Sequence, residues 1–97
     1  MTADVSAPAV STEATYRVHP QVSIRPEPFG ALLYHFGNRK LSFLKDRTLF
    51  LLIETLGEGS TLPDAMNRIG IAESDRDLMI RSVEALLRSD MLQEVTS

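Results

Sequence analysis

One stretch constrains this chain more than any other: two segments carrying bulky apolar residues, 31–36 and 39–44, on either side of Gly37-Asn38. That is the pattern of a β-hairpin with a tight turn. Closing a two-residue loop at Gly37-Asn38 pairs Tyr34 with Leu41 and Leu32 with Phe43, so four bulky apolar groups share one face, the expected core face. Leu33, His35, Lys40 and Ser42 then make up the face expected to meet water. A strand precedes the hairpin, with Val22, Ile24 and Pro26 alternating against Gln21, Ser23, Arg25 and Glu27. Its neighbouring Pro20, Pro26 and Pro28 cannot donate to a ladder, which places it at a sheet edge or makes it short.

After residue 44 the apolar spacing becomes helical. Asp46 is placed to cap a helix carrying Leu49, Phe50, Leu52, Ile53 and Leu56, apolar on most sides and therefore central, with Gly57 to stop it. Thr61 caps a short second helix that has Pro63 and Asp64 in its first turn and Gly70 at its end. A third helix is expected from Ser74, with Asp77 at capping-box-like spacing, to about Asp90. On it Met79, Ile80, Val83, Leu86 and Leu87 form a core stripe opposite Asp77, Arg81, Glu84 and Arg88. Beside that stripe run Leu78, Ser82, Ala85 and Ser89, whose small side chains leave either a groove or an ordinary helix flank. Three strands followed by three helices predict an α+β domain, a three-stranded antiparallel sheet with helices on one face. Residues 1–16 lack either periodicity and are expected to be a disordered tail, leaving a domain over residues 17–97.

With 97 residues, 43% of them hydrophobic, the chain has room for one small domain. It contains no cysteine, which removes disulfides, thiolate metal sites and iron–sulfur ligation and suits a reducing cytoplasm. No signal-peptide pattern stands at the N-terminus, and the longest apolar run, residues 49–53, is too short to span a membrane. His19 and His35 have no third ligand at metal-site spacing, and no phosphate loop, nucleophile elbow or carboxylate pair is present, so neither an enzyme nor a metal or cofactor site is expected. Binding remains. The net charge of −3 hides a segregation: residues 17–47 hold six basic and two acidic groups, whereas residues 48–97 hold four basic and nine acidic ones. A basic strand edge near Arg39 and Lys40 would attract an acidic partner chain.

Residues 19–45, HPQVSIRPEPFGALLYHFGNRKLSFLK, closely resemble the MftB peptide-chaperone family of the mycofactocin system, a branch of the PqqD-like precursor-recognition domains. The resemblance extends over about residues 17–93 and is looser after residue 48. It implies a winged-helix-like fold that binds the leader of a ribosomally made precursor peptide and delivers it to a radical SAM maturase. In such domains the leader adds as a strand beside the third strand and lies against the last helix. Carried onto this chain, the peptide-binding residues are Arg39, Lys40, Leu41, Ser42, Phe43 and Leu44 on the strand, with Leu78, Met79, Ser82 and Ala85 on the helix. Leu41 and Phe43, assigned to the core, would contribute backbone more than side chain, and Lys40 and Ser42 would touch the leader at its rim. The alternative is a winged-helix DNA-binding regulator. Against it stand Glu73, Asp75, Asp77, Glu84 and Asp90, which repel phosphate and outnumber Arg76, Arg81 and Arg88.

Overall fold

The alternating segment folds as a meander because the chain reverses twice within a few residues. Pro28-Phe29 joins β2 (Val22–Glu27) to β3 (Gly30–His35), and residues 36–40 join β3 to β4 (Leu41–Leu44). The computed structural model describes residue 10 and residues 13–95. Before the meander stands β1 (Thr15–Val18); after it come α1 (Arg47–Gly57), α2 (Leu62–Ile69), α3 (Glu73–Arg88) and β5 (Leu92–Val95). The three-stranded antiparallel sheet has the order β2-β3-β4, so β4 is an edge, while β1 and β5 form a separate antiparallel ribbon. The fold is α+β, with this ribbon added to the expected sheet and helices.

The hairpin register is the expected one, Tyr34 opposite Leu41 and Leu32 opposite Phe43. Its loop is wider than the expected Gly37-Asn38 pair. The His35 amide donates to the Lys40 carbonyl at 2.9 Å, the Arg39 amide donates to the His35 carbonyl at 2.8 Å, and Arg39 takes φ 64°. A left-handed residue closing a four-residue loop is a regular hairpin solution. The amides of Gly37 and Asn38 both donate to Nδ1 of His35, at 3.0 and 3.1 Å, so this side chain organises the loop from beneath.

The two faces of the hairpin are the reverse of those expected. Leu33 is fully buried and His35 is 4% exposed, whereas Leu41 and Phe43 are 52% and 56% exposed. Two bulky pairs look like a core when the hairpin is considered alone, but α1 lies across the other face, where Ala31 and Leu33 join Leu44 in the main cluster. Small residues permit that close packing: a Cβ on Gly30 would collide with the Leu44 carbonyl. His35 accordingly sits inside, with its ring 4.4 Å from that of His19, not on the outer face.

Two of the helix starts are as expected. Oδ1 of Asp46 accepts from the Thr48 amide at 2.8 Å, and Oγ1 of Thr61 accepts from the Asp64 amide at 3.3 Å. Gly70 at φ 76° ends α2, as its left-handed cap requires. The third start differs, because the cap is Ala72, which offers no side-chain bond, and Ser74 lies inside the helix. Glu73 and Asp75 in the first turn compensate through the helix dipole.

Thr15 and Tyr16, expected in the tail, belong to β1, and Tyr16 is 1% exposed. Their order comes from β5, which pairs Thr15 with Val95 and Val18 with Leu92 across most of the chain. The remainder of the expected tail, apart from residues 10, 13 and 14, lies outside the described residues.

Candidate functional site

The open edge of β4 follows from hydrogen-bond alternation. Because the His35 amide bonds the Lys40 carbonyl, the hydrogen-bonded pairs along this ladder are His35–Lys40, Leu33–Ser42 and Ala31–Leu44. The N–H and C=O groups of Leu41 and Phe43 therefore point outward, away from β3. Among the described residues nothing bonds across that edge.

Beside the edge runs α3, and a groove separates them. Its first part, about 260 Å³, lies between Ser42, Phe43 and Leu44 on β4 and Ser82, Ala85 and Ser89 on α3, over a floor of Leu49 and Leu86. It continues, with about 240 Å³ more, past Phe43 and Lys45 toward Leu78 and Met79. Beyond Leu78 a further 350 Å³ opens between Asp46, Asp75 and the α2–α3 junction. The groove stays empty because the α3 side chains that face β4 are small. Their hydroxyls are also spent locally: Ser82 Oγ donates to the Leu78 carbonyl at 2.9 Å and Ser89 Oγ donates to the Ala85 carbonyl at 3.1 Å. The groove thus sets an apolar floor of Leu49 and Leu86 beside hydroxyls whose protons are already bonded within α3. Its width is held at one end by Asn38, whose Nδ2 donates to the Ser89 carbonyl at 3.3 Å and ties the hairpin loop to the end of α3.

Seven of the ten residues singled out from sequence meet in this groove: Ser42, Phe43, Leu44, Leu78, Met79, Ser82 and Ala85. The other three do not line it. Arg39 closes the hairpin loop, Lys40 follows it, and Leu41 presents its side chain to the outer face of the sheet. Leu49, Leu86, Lys45 and Asp46 were not anticipated. Leu49 and Leu86 carry the same helical spacing as the rest of the core, so nothing in their pattern marks them as a groove floor. The position of Asp46 in the sequence marks a helix cap and nothing more. Among the described residues no three His, Asp or Glu side chains gather as a metal ion would need.

An open edge beside a groove has the geometry to hold an extended chain. The sequence profile of the peptide chaperone MftB family matches residues 15–93. The chain belongs to this family. An MftB relative from Mycobacterium tuberculosis is 48% identical over 77 residues, covering 79% of this chain and 71% of its own. The MftB chaperone of Mycobacterium ulcerans is 41% identical over 90 residues, covering 93% and 83%. Among solved structures, a lasso peptide synthetase B1 complexed with the leader peptide superposes with a TM-score of 0.67 at 20% identity, covering 82% of this chain and 99% of that one. At that identity the likeness is one of fold.

Proposed function

We propose that this MftB-family protein is a non-catalytic chaperone that binds the leader of a ribosomally made precursor by strand addition to β4 and delivers it to a radical SAM maturase in mycofactocin biosynthesis. The observation that carries the reading is the unpaired β4 edge lying beside a groove with an apolar floor. Main-chain bonds to Leu41 and Phe43 would supply affinity without regard to sequence, and the groove over Leu49 and Leu86 would select the leader's apolar side chains. Arg39 and Lys40 at one end and Lys45 at the other would draw an acidic segment to the strand. Having no cysteine, the chain leaves cluster chemistry to its partner, in the reducing cytoplasm.

Calorimetry with a synthetic leader tests the groove. Ser82→Arg should weaken binding at least tenfold, about 1.4 kcal/mol, by laying a long charged side chain into the groove, while the melting temperature stays near wild type because Ser82 contributes little to the core. Ser82→Ala should bind normally, since the hydroxyl is already bonded to its own helix. Unchanged binding by Ser82→Arg would contradict the groove assignment.

A further inference from the structure

The outer face of the sheet carries a row of apolar side chains, of which only Phe43 also borders the groove. Leu32 and Tyr34 on β3 are half-buried, whereas their partners Leu41 and Phe43 on the edge strand are more than half exposed. In a sheet each side chain is covered from both flanking strands, and β4 lacks the second neighbour. Phe29, from the β2–β3 turn, stands 6.3 Å from Phe43 with the rings tilted by 46°, and with Lys45 the two aromatics bound an open pocket of about 490 Å³. Lys40 and Lys45 bracket the strand, and neither makes an ion pair among the described residues.

We propose that a peptide added to β4 is read on both faces, through a second, outer subsite formed by Leu41, Phe43, Phe29 and Lys45. This rests on strand addition at β4. Successive side chains of an added strand point to opposite faces, so one set enters the groove beside α3 and the interleaved set falls against Leu41 and Phe43. The outer subsite takes bulky aliphatic or aromatic side chains, one of them between Phe29 and Phe43, and the ammonium group of Lys45 favours a carboxylate next to them. Leu41 and Phe43 are therefore specificity residues by their side chains as well as hydrogen-bonding residues by their backbone.

The synthetic leader, replaced by alanine one position at a time, is titrated calorimetrically against the full chain and against its Phe43→Ser variant, with Leu41→Ser as a second variant and thermal melts to verify folding. The expected result is two interleaved sets of sensitive positions offset by one residue. Leu41→Ser should remove the sensitivity of the outer set alone, whereas Phe43→Ser, which also borders the groove, should weaken binding about tenfold and blunt both sets. If the sensitive positions share one parity and both variants bind like wild type, the outer subsite is overturned while leader binding in the groove stands. If the wild-type chain binds no leader, strand addition fails and the outer subsite with it.

Discussion

Leu33 and Leu41 sit one residue apart in the ladder, Leu33 opposite Ser42 and Leu41 opposite Tyr34, yet they live in different environments. Leu33 is buried beneath α1, and replacing it with Ala should cost about 2–5 kcal/mol in urea denaturation. Leu41→Ser should stay within about 0.5 kcal/mol of wild type, since it removes a side chain that the folded protein leaves in water. The opposite order of stabilities would mean that the faces are those expected from the hairpin alone. The hairpin's register was legible in sequence because cross-strand pairing is set by a local loop. Its facing was not, because the choice is made by α1 packing on Ala31 and Leu33, and neither composition nor alternation reports where a helix will land.

Among the helices, α1 and α2 carry their starts in their own sequences, through Asp46 and Thr61, whereas α3 begins without a side-chain cap. Asp46→Ala should destabilise the protein by about 1 kcal/mol. Ser74→Ala should leave a melting curve nearly unchanged, because Ser74 lies inside the helix and caps nothing. A loss at Ser74 equal to that at Asp46 would restore the cap expected from its spacing to Asp77. The strip Leu78, Ser82, Ala85 and Ser89 was visible at helical spacing, but only the placement of α3 beside β4 turns it from a flank into a groove wall. The ribbon of β1 and β5 had no local signal. Its strands lie at opposite ends of the chain, and Tyr16 and Leu92 become core residues only once those ends meet.

At the scale of the whole molecule, one geometry unites recognition and charge. The meander leaves β4 unpaired, the C-terminal helix lies beside that edge at a distance set partly by Asn38 and Ser89, and the basic residues cluster at the strand while the helical half is acidic. A long open edge exposes a protein to aggregation unless charge guards it, and Arg39, Lys40 and Lys45 supply that guard while leaving the backbone of Leu41 and Phe43 accessible. Amide hydrogen exchange, followed by NMR with and without the synthetic leader, tests the central claim most directly. Strand addition predicts strong new protection at the amides of Leu41 and Phe43, which face the open edge, and little change at Ser42 and Leu44, which already bond to β3. Leader binding that leaves Leu41 and Phe43 exchanging as in the free protein would contradict it.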